Sequence, residues 1–309
     1  MEQKFAHVLL EDFIEEVDIV GDIKRTFKEG SVLTRLIYIN IGVFLILKII
    51  GVLFYLAGQP FALDSWFAIP SATEVLINRP WTPFTYMFMH AGFIHLLFNM
   101  LGLYWFGQLF LYHFEGSKLL SVYLLGGLVG AAFFVLAYNV LPVFENVRVP
   151  MVGSSAAIFA ILVAVAFYDP DREIHLFFIG RFPLKYVAGF YVLLSVIGIS
   201  ASNPGGNIAH LGGAFWGWFY IYQLRKGKDM GAGFVNFINK IGAFFADAFK
   251  PKSNMKVTYK KPPRNDHEYA KQQHYKQEEV NRILDKIAKS GYESLSKKEK
   301  EVLFKQGKK

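Results

Sequence analysis

The sequence predicts an all-α, polytopic membrane protein: a bundle of six transmembrane helices with a membrane-embedded first loop. Three observations carry that expectation. Of 309 residues, 53% are hydrophobic and 31 are Phe, too apolar for a soluble domain of this length. Six apolar stretches, at 35–58, 84–112, 117–139, 153–168, 184–201 and 206–224, are long enough to cross about 30 Å of hydrocarbon, or nearly so when longer neighbours shield them. Finally, Lys and Arg gather in alternate loops. Lys24, Arg25, Lys28 and Arg35 precede the first stretch, Lys118 lies in the second loop, and Arg172, Arg181 and Lys185 lie in the fourth; Arg225, Lys226 and Lys228 follow the sixth. The intervening loops hold only Arg79 and Arg148. That asymmetry puts both termini on the cytoplasmic side of a cell membrane, which requires an even number of crossings.

The first 31 residues are dense in charge and lack the apolar core of a signal peptide. The run Val8 to Val20 has apolar residues at helical spacing, which suits a short amphipathic helix and equally a solvated leader. In the first span, Lys48 falls near mid-membrane, where a charge is costly, and is read as structural rather than catalytic. The loop from Gly58 to Pro83 carries Trp66, Phe67 and Trp81, more aromatic surface than a solvated linker needs, and is expected to pack at the interface. After the sixth span, Phe234 to Phe245 has the pattern of an in-plane interfacial helix, with a seventh span as the weaker alternative.

Residues 250–278 read as a linker rich in Lys, Pro, Asn and Gln. Helical spacing resumes at Glu279, Ser290-Gly291 breaks it, and Ser296-Lys-Lys-Glu299 matches a capping box opening a last helix. The expected organisation is therefore an N-terminal cytoplasmic segment (1–34), a membrane domain (35–224), an interfacial helix with basic linker (225–278) and a helical cytoplasmic tail (279–309). Residues 225–309 hold 21 Lys/Arg against 10 Asp/Glu, so the basic excess is in this segment and the remainder, with 12 against 15, is slightly acidic. Such a tail suits an anionic membrane leaflet, and no nucleic-acid-binding module accompanies it. The chain contains no Cys, which excludes disulfides, thiolate metal sites and a Cys nucleophile.

Polar groups inside apolar spans must find a partner or a purpose. Given the orientation above, the second, fourth and sixth spans run from outside to inside. Ser155 near the start of the fourth, His210 near the start of the sixth, and His95 and Asn99 in the outer half of the second share one depth. His95 and Asn99 are one helical turn apart on one face, and His90 would point about 140° away. Two His separated by four residues with a Glu between would suggest zinc; that pattern is missing, so neither metal nor cofactor is expected. Taken alone, each group has a plainer reading, Ser155 as a small packing residue and His95 with Asn99 as interhelical glue. Their common depth favours a hydroxyl nucleophile beside an imidazole base, with two donors near it. Gly213-x-x-x-Gly217 would let the sixth span approach the fourth closely.

The set His90-x4-His95-x3-Asn99, Gly153-x-Ser155, and Ala209-His210 followed by Gly213-x3-Gly217 resembles the rhomboid family of intramembrane serine proteases over about residues 35–224. The resemblance implies a rhomboid-like bundle in which Ser155 is the nucleophile and His210 its base. It further implies that His95, Asn99 and the Ser155 backbone N–H stabilise the oxyanion, and that His90 supports the first loop and the second span. Phe159 stands where the family often has a Tyr stacked on the catalytic imidazole, and Ser154 and Ala156 replace the usual flanking residues. Thr82 stands where a charged Arg is common. The implied partners are a transmembrane protein substrate and the lipid bilayer. Two other readings compete: an inactive rhomboid-like protein that binds membrane clients, and a transporter or channel, which would spread polar groups along the full membrane depth.

Overall fold

The structure, a computed structural model, describes residues 18–176, 180–201, 203–248 and 266–306. Its contacts divide the chain into a larger unit ending at Ala248 and a smaller unit beyond it. The larger unit opens with α1 (Ile19–Glu29), capped by Asp18, whose carboxylate accepts the Gly21 N–H at 2.7 Å. The amphipathic run expected from Val8 lies outside the described residues apart from its last three. Helix α2 (Val32–Leu56) starts at Ser31, whose Oγ accepts the Thr34 N–H. It buries a single stripe, Leu33, Leu36, Asn40 and Phe44, and leaves Leu45, Ile46, Ile49, Val52 and Leu53 exposed. A helix with so much exposed apolar surface needs lipid around it. Lys48 reaches the Ala91 carbonyl at 3.5 Å, tying α2 to the segment ahead of the second span.

The first loop is built, not slack. It contains α3 (Leu63–Phe67), α4 (Thr73–Ile77) and α5 (Thr82–Thr85), and its strand β1 (Ile69–Pro70) pairs antiparallel with β2 (Pro150–Met151), Ile69 opposite Met151. The Trp66 and Trp81 rings lie 4° from parallel, and Trp81 Nε1 donates to the Trp66 carbonyl at 2.8 Å. Arg79 covers the other ring contact: its guanidinium sits 4.6 Å from the Trp66 ring centroid and donates to the Ser65 carbonyl at 2.7 Å. A cation three residues before Thr82 thus fixes the loop, and Thr82 Oγ1 donates to the Arg79 carbonyl.

The remaining helices are α6 (Phe93–His113), α7 (Gly116–Val140), α8 (Ser155–Tyr168), α9 (Leu184–Gly198) and α10 (Pro204–Arg225). Helices α2, α6 and α7 are long and apolar enough to cross a membrane; α8 and α9 are shorter apolar helices. The protein is a multi-pass, mostly helical membrane protein. Two local expectations need correction. The membrane helix of the second stretch starts only at Phe93: residues 84–92 form the end of α5, a 3-10 turn (Tyr86–Phe88) and non-helical chain through Gly92. His90 therefore precedes the helix, and the angle expected between it and His95 does not apply. Between α8 and α9, β3 (Glu173–Leu176) and β4 (Gly180–Pro183) pair antiparallel, a hairpin that apolar periodicity could not announce.

Helix α8 lies at the centre, its alanines nested between two glycine faces. A Cβ on Gly213 or Gly217 of α10 would collide with the Ala156 or Ala160 carbonyl oxygen, and one on Gly130 of α7 would meet Ala156 Cβ at 2.6 Å. Glycine at these positions is what allows backbone-to-backbone approach. Beyond α10, Asp229 pairs with Lys118 at 3.2 Å and accepts the Gly231 N–H at 3.0 Å. Partial burial raises the Asp229 carboxyl, but the Gly231 amide and the Lys118 ammonium outweigh it and hold the group below its ordinary value. Helix α11 (Ala232–Ala248) follows and packs on α7.

The smaller unit consists of α12 (Asp266–Ser290), a turn at Gly291 (φ +74°), and α13 (Lys297–Gln306). Helix α12 begins at Asp266 rather than Glu279, so residues 266–278 extend the helix instead of the linker. The capping box forms as read: Glu299 accepts the Ser296 N–H at 2.7 Å, and Ser296 Oγ accepts the Glu299 N–H at 3.4 Å. Lys286 joins Glu299 at 3.0 Å, and Ile283 and Leu295 are buried between the two helices.

Candidate active site

Ser155 is the first residue of α8. The turn that delivers it depends on Gly153, at φ +132°, where a Cβ would stand 2.9 Å from His95 Nε2. The turn is held from both sides, by the β1–β2 pairing just before it and by the Gly153 N–H donating to the Tyr86 carbonyl at 3.0 Å. The two neighbouring serines then part company. Ser154 is fully buried, with its Oγ 3.3 Å from His90 Nε2. Ser155 faces the other way, its Oγ 2.7 Å from His210 Nε2. His210 lies about 9 Å along α10 from its start at Pro204. The Gly213 and Gly217 contacts draw α10 against α8 and so bring the imidazole within reach of the hydroxyl.

The His210 ring is held on three counts. Phe159, one turn after Ser155, stacks on its face with centroids 4.3 Å apart and planes 10° from parallel. Its Nε2 meets Ser155, and its Nδ1 lies 3.3 Å from Ser195 Oγ on α9. The sequence reading missed Ser195. Its signal was present as the lone hydroxyl in Leu193-Leu-Ser-Val-Ile197, but apolar neighbours on both sides gave no hint of its direction.

His95 and Asn99 of α6 complete a cavity of about 460 Å³ lined also by Ser155, Phe159, Tyr191 and His210. His95 Nδ1 accepts the Ala91 N–H at 3.4 Å, which leaves Nε2 as the protonated nitrogen of the neutral ring. Asn99 Nδ2 gives one hydrogen to the His95 carbonyl at 2.8 Å and has a second to offer. The Ser155 N–H belongs to the first turn of α8, where backbone donors have no helical partner and the helix dipole favours negative charge. A hydroxyl, a basic nitrogen and three donors thus border one chamber. His90 stays outside it, with its ring edge-on to His95 at 5.2 Å.

A helical membrane domain that encloses a hydroxyl–imidazole pair defines the class. The chain carries a rhomboid domain: residues 78–227 match the Rhomboid domain. Residues 265–309 match a separate family of unknown function, DUF6576. A curated relative is RHOMBOID-like protein 12, mitochondrial, from Arabidopsis thaliana, 27% identical over 211 residues. The match covers 65% of this chain and 60% of that protein, so the chain spans less than two thirds of the relative's length.

Proposed function

We propose that the protein is an intramembrane serine endopeptidase that hydrolyses peptide bonds in or beside transmembrane segments of other membrane proteins. The observation that carries this reading is the 2.7 Å approach of Ser155 Oγ to His210 Nε2 within a cavity. His210 Nε2 takes the Ser155 proton as Oγ attacks the scissile carbonyl. The oxyanion that develops is met by His95 Nε2–H, the Asn99 amide and the Ser155 N–H. Collapse breaks the C–N bond, the imidazolium returns its proton to the leaving amine, and water, activated by the same nitrogen, hydrolyses the acyl-enzyme. A substrate helix must unwind locally, because its carbonyls are otherwise engaged in helical hydrogen bonds.

The same proposal includes six crossings, both termini on the cytoplasmic side of a cell membrane, and a cavity opening toward the opposite side. The alternating Lys/Arg loops support that orientation. Against the inactive client-binding alternative stands the alignment of the dyad itself, since a scaffold has no need of a base within hydrogen-bond reach of a hydroxyl.

The test is fluorophosphonate labelling, which requires an activated serine but no knowledge of the natural substrate. Labelling should disappear in Ser155→Ala and His210→Ala and persist in Ser154→Ala, and cleavage of a reporter transmembrane substrate should follow the same order. Labelling that survives Ser155→Ala overturns the assignment.

A further inference from the structure

We propose that Ser195 is the positioning residue of His210, a neutral hydroxyl that fixes which ring nitrogen carries the proton; this rests on the proteolytic reading above. The argument is a count of hydrogens. Ser195 Oγ lies 3.1 Å from the Tyr191 carbonyl, one turn back on α9, and 3.3 Å from His210 Nδ1. A hydroxyl has one hydrogen and two lone pairs, whereas a carbonyl only accepts. The Ser195 hydrogen therefore goes to Tyr191, and toward His210 the Ser195 oxygen can only accept. That places the single proton of the neutral imidazole on Nδ1 and leaves Nε2 with a lone pair facing Ser155. This is the tautomer a general base needs.

Phe159 cannot make this choice. It stacks on the ring face and leaves the ring free to turn in its own plane, whereas Ser195 touches one ring edge and Ser155 the other. Ser195 is 2% exposed, so little water can compete for Nδ1. When Nε2 takes the serine proton, both nitrogens become donors and Ser195 still accepts. A buried carboxylate would hold the imidazolium more strongly but would bury a second charge inside the membrane. The hydroxyl orients the ring without that cost. It also makes α9 part of the site, although neither the nucleophile, the base nor the oxyanion donors lie on that helix.

The experiment compares Ser195→Ala, Ser195→Val and Ser195→Thr in the full-length protein reconstituted in liposomes. The readouts are the rate of fluorophosphonate labelling at Ser155 and the kcat and KM for a reporter substrate. Val and Thr have the same shape, but only Thr retains a hydroxyl able to bond the carbonyl four residues back. Loss of one hydrogen bond to a charged group should slow labelling and kcat about tenfold in the Ala and Val variants, with KM unchanged. The Thr variant should stay within about twofold of the parent protein. Equal rates for Val and Thr, with the parent still labelled at Ser155, overturn the role of Ser195 and leave the proteolytic reading standing. A parent protein that is not labelled at Ser155 overturns both.

Discussion

Phe159 lies flat against His210, 4.3 Å between ring centroids and 10° from parallel, while Tyr191 meets Phe159 edge-on at 6.1 Å. The ring pair joins α8 and α10 through its stacked faces, with no hydroxyl on the Phe ring. Such stacking is worth about 0.5–1.5 kcal/mol beyond burial. Phe159→Leu should therefore lower kcat up to about tenfold. Phe159→Tyr should stay near the parent value, because the stacking face is unchanged. Steady-state cleavage of a reporter substrate, with melting temperatures to exclude unfolding, reads both.

The two side-chain donors bordering the cavity come from one helix turn, so their losses should be separable from folding. His95→Ala and Asn99→Ala should each cost roughly 10²–10³ in kcat, the range for removing one oxyanion donor. Neither should abolish fluorophosphonate labelling as completely as Ser155→Ala. A change in KM alone would show that these side chains bind substrate rather than the transition state.

Gly213 and Gly217 have no room for side chains, since the obstruction at each is a backbone carbonyl of α8 that cannot swing aside. Gly213→Val and Gly217→Val should push α10 off α8, destabilising by at least the ~1–3 kcal/mol typical of overpacking. Activity should fall with stability. Gly189, where a Cβ would meet nothing within 4 Å, serves as the control: Gly189→Ala should leave the melting temperature unchanged or raised.

Arg79 holds the first loop through one ring contact and one carbonyl. Arg79→Ala should raise the rate of proteolytic nicking between Gly58 and Pro83, with a stability loss of about 1 kcal/mol. Lys at this position should rescue only in part, because it lacks the planar guanidinium that covers Trp66 while donating to Ser65.

Glu299 links the tail to pH. The Ser296 N–H and hydroxyl, with Lys286, hold its carboxyl at about 2, below its ordinary 4.5. A group depressed on folding stabilises the fold fully above its unfolded value. That contribution is lost as pH falls from about 4.5 through about 2. Amide exchange of residues 297–306, corrected for its intrinsic pH dependence, should quicken over that window in the parent. Glu299→Gln should show weaker protection at neutral pH and little further change on acidification.

Much of the bundle was legible because bilayer physics is written in composition. A continuous exposed face such as Leu45, Ile46, Ile49, Val52 and Leu53 calls for lipid, and long apolar stretches are how the sequence records that. The tail was legible for a local reason: a capping box needs only residues three apart, and Ser296 and Glu299 form it without help from elsewhere. The start of α6 was misjudged because Phe84 to Gly92 is apolar enough for a membrane helix. Hydropathy does not report that this segment must bend to bring His90 to Ser154. The β3–β4 hairpin escaped for the opposite reason, since its pairing is backbone to backbone and leaves little trace in side-chain pattern.

By itself the sequence suggested that a hydroxyl, two imidazoles and an amide would share one depth, because that expectation needs only position along each span, and the structure brings Ser155, His95, His210 and Asn99 to one cavity. Which of the adjacent serines faces the base was decided only by the tertiary structure, since Gly153 turns the chain so that Ser154 points to His90 and Ser155 to His210. The contact between Ser195 and His210 was likewise invisible in one dimension, because the rotation of α9 about its own axis is set by what packs around it. Depth is a property of a single helix, whereas direction belongs to the assembly.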